Sequence, residues 1–201
     1  MIAVTSPWLW YGTRATAVVG LVLLTASAIL GIFTNARLGW KLWPRWATQE
    51  LHRRSSILAL VFITTHVATT VFDSYVPVHL TSAVLPGTSP YERWSVSLGT
   101  VAFDLLLTVL ISSLLRNRIK IEWWRALHYL TYLAAPIAVL HVILLGTDAK
   151  KGSHWLLLVL AICVASAAAA FVLRILRSLK LRGHTTAPPQ RSPERLRPRS
   201  R

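Results

Sequence analysis

The chain has 201 residues, 54% of them hydrophobic, with 22 Lys and Arg against seven Asp and Glu and a formal net charge of +15. A soluble domain mixes polar and apolar residues about evenly, whereas here the apolar residues run in long uncharged blocks that leave too little polar surface for a soluble bundle. The lone cysteine, Cys163, excludes an internal disulfide or thiolate cluster, no C-x-x-C-H attaches haem covalently, and Met1 is the only methionine.

A membrane-spanning helix needs about 20 mostly apolar residues. The first candidate covers 14–34, uncharged between Arg14 and Arg37. Ala26-Ser27-Ala28 resembles a signal cleavage site, but the apolar run continues past it and no basic residue precedes Arg14. Residues 38–49 interleave Trp with Lys and Arg around Pro44, a pattern expected to lie along the inner membrane interface. The second span, 51–75, carries His52 and His66. Residues 76–91 hold Pro77, Pro86, Gly87 and Pro90 and form the longest outer connection, placed to cover an outer site. The third span, 94–116, contains one charge, Asp104. The fourth, 123–147, carries His128 and His141 with Pro136 between them, and the fifth covers 154–177. Residues 183–201, rich in Pro, Arg, Ser and Thr, cannot bury apolar area and are expected to be disordered. The expected fold is therefore an all-α membrane protein, a five-helix transmembrane bundle in 1–182 with a basic tail in 183–201.

Placement of charge gives the expected orientation. Eighteen of the 22 basic residues fall in the 34–54 loop, the 116–125 loop and the stretch from Arg174 onward. Only Arg14, Arg93, Lys150 and Lys151 fall on the other side. The positive-inside rule puts the N-terminus outside and the C-terminus in the cytoplasm. The basic excess thus reads as topology and attraction to the lipid bilayer, with no nucleic acid partner. Trp8, Trp10, Trp94 and Trp155 mark outer span ends, and Trp40, Trp43, Trp46, Trp123 and Trp124 inner ones, as expected of aromatic belts.

The chemistry concentrates in four histidines. An ionisable residue inside a membrane is costly and is a functional hypothesis by default. Spans two and four run the same way, so His52 and His128 share the inner depth and His66 and His141 the outer. Fourteen residues separate His52 from His66, about 21 Å of rise and within about 40° of whole turns. The two therefore share a face, with small Ala59 between them to admit a flat macrocycle. Thirteen residues separate His128 from His141, about 140° away from whole turns. A kink or tight turn there, at Pro136, would bring His141 back into line. Each pair suits one iron between two imidazoles, which fills both axial positions of a haem. A copper or zinc site needs its ligands within a few ångströms, whereas the two pairs stand about 20 Å apart in depth.

Leu51-His52-Arg53-Arg54, Thr65-His66-Val67, Leu127-His128-Tyr129 and Leu140-His141-Val142 carry a family resemblance. The chain resembles the ferric-reductase-like transmembrane domain family, which includes NADPH oxidases, eukaryotic ferric reductases, STEAP proteins and the membrane subunit of the bacterial periplasmic methionine-sulfoxide reductase system. The resemblance covers about 14 to 177. It implies two non-covalent b-type haems, with bis-His ligands at His52, His66, His128 and His141, in a multi-pass protein of a bacterial plasma membrane. It also implies an oxidoreductase component passing electrons outward to ferric iron, oxygen or a partner enzyme. The oxidases carry a flavin- and nicotinamide-binding region, but no G-x-G-x-x-G or His-Pro-Phe-Thr-like motif occurs here. The expected donor is then separate: a cytoplasmic flavoprotein (FMN or FAD) or a quinol. A quinol-linked respiratory cytochrome b subunit, and a non-redox transporter or assembly protein with structural or metal-binding histidines, are the alternatives.

Arg53, Arg54 and Arg125 lie beside the inner histidines, and Arg14 opens span one on the charge-poor side. Arginine fits carboxylates in a two-pronged geometry, so these four are candidates for haem propionates; ordinary topological flanking explains them equally. Asp104 is placed to accept a proton from a ligand imidazole or from a Ser or Thr hydroxyl. His79 and His154 read as ordinary loop histidines.

Overall fold

The computed structural model describes residues 7–35, 44–73, 76–146 and 154–184. They form seven helices and, among the described residues, no strand. These are α1 (Pro7–Asn35), α2 (Arg45–Phe72), α3 (Leu80–Val84), α4 (Arg93–Leu114), α5 (Ile121–His128), α6 (Thr131–Leu145) and α7 (His154–His184). Five stretches are long and apolar enough to cross a membrane: Trp8–Thr34, Arg45–Phe72, Arg93–Leu114, Ile121–Leu145 and His154–Leu179. The protein is an all-helical, multi-pass membrane protein, as expected. Polar residues are tolerated in these spans because their hydroxyls return to the helix backbone: Thr25 to the Leu21 carbonyl at 2.9 Å, Thr34 to Leu30 at 2.8 Å, Thr65 to Val61 at 2.8 Å.

Three boundaries differ from expectation. Residues 45–49 belong to α2 instead of an interfacial segment, because Pro44, extended at φ −69° and ψ 141°, is a ready residue from which to begin a helix. The rest of that segment, with Trp40 and Trp43, lies outside the described residues, as do Lys150, Lys151 and the tail beyond His184. The outer connection is partly folded onto α4: Thr100 donates to the Ser82 carbonyl of α3 at 2.6 Å, and the Gly87 amide to Ser97 Oγ at 2.7 Å.

The third difference is the break in span four. It falls at Tyr129 and Leu130, directly after His128, while α6 continues through Pro136. Leu130, Tyr132 and Leu133 each bond the carbonyl three residues back. Such 3₁₀ turns advance about 120° per residue instead of about 100°. Three such steps recover about 60° of the phase that thirteen helical residues leave missing, and they come before the proline.

The helices pack as two pairs, α1 along α2 and α4 along α6, with α7 against α1 and only a light contact between α2 and α4. Gly20 permits the first pairing: a Cβ there would lie 3.0 Å from Ile63 Cγ1 and 3.9 Å from the Ala59 carbonyl. Ala59 is fully buried, so its small side chain serves close helix approach, not a macrocycle. The histidine-bearing spans are the least buried within the chain, at 11% and 6% against 17–28% for the other three. Trp8, Trp46, Trp94, Trp123 and Trp155 point outward, as aromatic belts do; Trp10 and Trp124 are half-buried.

Candidate functional site

Helix α2 is uninterrupted across both its histidines, and both rings reach α1. His52 Nδ1 lies 2.9 Å from the Ser27 carbonyl and His66 Nδ1 lies 2.9 Å from the Thr13 carbonyl. Fourteen residues forward on α2 thus correspond to fourteen back on α1, one antiparallel register. On the other pair, His141 Nδ1 lies 2.7 Å from the Ser95 carbonyl of α4. A carbonyl oxygen only accepts, so each of these imidazoles donates Nδ1–H, and the neutral form of a ring held in that way presents its lone pair at Nε2.

Access to those carbonyls has a local cause. A helical carbonyl points toward the residue four positions on, whose side chain borders it. Four on from Ser27 is Gly31, and four on from Ser95 is Gly99. A Cβ at Gly31 would meet His52 Cε1 at 3.1 Å, and one at Gly99 would meet His141 Cε1 at 2.6 Å and Nδ1 at 2.7 Å. The glycines are therefore where the imidazoles lie. Thr13 is followed at the same spacing by Ala17, also small. Ser27 adds its hydroxyl at 3.1 Å from His52 Nδ1 and also bonds Ser56 of α2.

His128 is held differently. Its Nδ1 is buried and, among the described residues, has no hydrogen-bond partner. The ring instead stacks on Trp124, centroids 5.1 Å apart at 27°. Arg116 covers that indole, its Cζ 4.7 Å from the ring centre. The four residues from Trp124 to His128 are one turn of α5, which places the rings over each other.

His52 and His128 stand 6.2 Å apart between centroids with planes at 76°. A metal between two opposed imidazoles needs about 2 Å to each nitrogen, with about 1 Å more to each ring centre, or about 6 Å between centroids. Among the described residues, no three His, Cys, Asp or Glu side chains come together as a metal site. The donors come in twos, which suits a metal whose other positions are filled by a macrocycle.

The candidate arginines take other partners here. Arg53 and Arg54, 70% and 77% exposed, both bond Glu50 one turn earlier on α2, at 3.1 Å and 2.7 Å. Arg125 is exposed near the inner pair. Arg14 sits over the Trp10 ring at 4.1 Å and directly follows Thr13, whose carbonyl holds His66. Asp104 fixes none of the four imidazoles: three donate to backbone carbonyls and the fourth has no partner among the described residues. Sequence reasoning missed Thr13, Ser27, Gly31, Ser95, Gly99 and the Trp124 stack. A Ser-x-x-x-Gly spacing on the helices flanking the histidines was the available signal for four of them.

Fold and site together define a membrane-embedded domain whose histidines are held by neighbouring helices. The family described as ferric reductase like transmembrane component matches residues 16–139, more than half of the chain. The chain belongs to that family and is a transmembrane redox component. The match spans His52, His66 and His128 and ends two residues before His141. Domains of this family generally bind haem and usually work with partner redox proteins. No curated protein and no solved structure matches the chain.

Proposed function

We propose that this chain is a di-haem b cytochrome domain that carries electrons across the membrane, from a cytoplasmic flavoprotein or quinol to an outer acceptor such as ferric iron, oxygen or a partner reductase. His52 and His128 are the axial pair of the inner centre, and His66 and His141 that of the outer. The observation that carries this reading is the shared Nδ1–H donation of three histidines to helix carbonyls, which leaves Nε2 as the ligand atom. The 6.2 Å spacing of the inner rings supports it, as does the low burial of the two histidine-bearing spans.

Haem, when bound, would be held by His52 with His128 and by His66 with His141, and would supply one-electron iron chemistry. The chain's own contribution is orientation and basicity. Donation to a carbonyl locks ring direction and strengthens the imidazole as a donor. At the inner centre, Trp124 replaces one carbonyl by a stacked ring. Arg53, Arg54 and Arg125 supply positive charge for inner propionates, and Arg14 for outer ones. The distribution of basic residues favours an outer N-terminus and a cytoplasmic C-terminus.

The reading is tested by the visible spectrum of detergent-purified protein. Two haems per chain are expected, with a Soret band that shifts on dithionite reduction. His66→Ala or His141→Ala leaves one haem. A preparation that stays colourless when supplied with hemin, or two haems retained in both variants, would overturn it. Donors that gather in twos, with no three-donor group among the described residues, disfavour a structural zinc or copper site.

A further inference from the structure

A second polar feature lies inside the fifth span. Arg174 ends a run with no charged residue after Lys151. It is half-buried on α7, and its Nη1 donates to the Tyr132 hydroxyl of α6. Among the described residues no carboxylate pairs with it. The two side chains close one end of a groove of about 420 Å³ between α6 and α7, lined also by Tyr129, Phe171, Ile175 and Ser178. The wall is mostly hydrocarbon and aromatic: Phe171 and Tyr132 stand 6.0 Å apart. Helices α6 and α7 each pack chiefly on another helix, which leaves the groove between them open.

Its polar end is rich in donors. A guanidinium has five N–H groups, and one is used. Tyr132 accepts that bond with its oxygen, so its own proton remains to be donated. Ser178 already gives its proton to the Ile175 carbonyl at 2.7 Å. Forked N–H groups beside a phenol O–H suit an anion with several oxygens. The apolar floor beneath suits acyl chain. A neutral quinol, which needs acceptors for two hydroxyls, finds little here.

We propose that this groove is a binding site for an anionic phospholipid, its phosphate held by Arg174 and Tyr132 and its chains lying along Phe171 and Ile175. None of the four histidines lines the groove, although Tyr129 directly follows His128, and its occupancy is read without reference to haem.

Native mass spectrometry of the full-length protein, exchanged into mixed micelles of phosphatidylglycerol and phosphatidylcholine, tests it. The wild type retains one phosphatidylglycerol in preference to phosphatidylcholine. Arg174→Gln weakens retention roughly tenfold or more, the loss expected when charge-assisted hydrogen bonds are removed. Tyr132→Phe weakens it less, and Arg177→Gln, on the same helix but outside the groove, leaves it unchanged. Size-exclusion profiles and melting temperatures check that the variants fold. Equal retention of the two lipids overturns the proposal, as does equal loss in Arg177→Gln. Retention of a quinone sensitive to Arg174→Gln, in place of phospholipid, assigns the groove to a different ligand and overturns it too.

Discussion

Gly99→Ala is the sharpest single perturbation of the outer centre. The new Cβ would stand 2.6 Å from His141 Cε1, 2.7 Å from Nδ1 and 3.0 Å from Nε2. Carbon and nitrogen do not approach so closely without bonding, so either α4 or the ring moves. The ring is tied through that same Nδ1 by the 2.7 Å bond to Ser95. Overpacking of one methyl costs about 1–3 kcal/mol. Losing the imidazole hydrogen bond costs about 0.5–1.5 kcal/mol more. At 1.4 kcal/mol per tenfold, a total of about 1.5–4.5 kcal/mol weakens cofactor retention at that centre by roughly 10- to 1,600-fold. The assay is the haem-to-protein ratio, with a melting curve beside it. Haem content is expected to fall from two per chain toward one, leaving the His52/His128 centre. Two controls grade the effect. Gly31→Ala meets His52 at 3.1 Å and gives a smaller loss, now at the inner centre. Gly12→Ala meets nothing within 4 Å and changes neither haem count nor colour, while helix propensity favours it by about 0.8–1.0 kcal/mol. Gly99→Ala with two haems and an unaltered melting temperature would refute the geometry.

Other outcomes follow from neighbouring contacts. Trp124→Leu removes the stacked face beneath His128, worth about 0.5–1.5 kcal/mol, and lowers inner-centre haem retention, whereas Trp124→Phe largely preserves it; haem titration of the two variants checks this. Thr13 Oγ1 is buried and has no hydrogen-bond partner among the described residues, so Thr13→Val is neutral or stabilising in a melting curve, because nothing is lost when an unsatisfied hydroxyl is removed. The carbonyl that holds His66 remains, and haem content stays at two. Ser27→Ala likewise keeps its carbonyl and leaves both haems, with a melting temperature lowered only slightly by loss of the Ser56 contact.

Much of the architecture was legible in the order of residues. Bilayer thickness sets span length, and lipid penalises charge, so five apolar runs, interrupted only by Asp104 in the third, had one reading. The 14-residue interval between His52 and His66 sufficed to put both on one face, because α2 is an uninterrupted helix and its phase accumulates regularly. The corresponding interval in span four misled. Proline carries a known penalty and drew attention to position 136, yet the tightened turn lies at Tyr129 and Leu130, where no residue type marks it.

What holds the imidazoles could be known only from the packed helices. Their acceptors are backbone carbonyls, which every residue possesses, so side-chain identity does not say which carbonyl is used. The register between α1 and α2, and between α4 and α6, selects Ser27, Thr13 and Ser95. The same register gives Gly99 and Gly31 their meaning, since a missing Cβ matters only when another helix brings a ring against it. The pairing of the arginines depended equally on proximity: Arg53 and Arg54 fold back to Glu50, and Arg14 onto Trp10. Composition and periodicity thus determined a membrane domain with histidines at two depths. Tertiary contact decided their tautomer, their direction and the room they occupy, because those depend on distances between segments far apart in the chain.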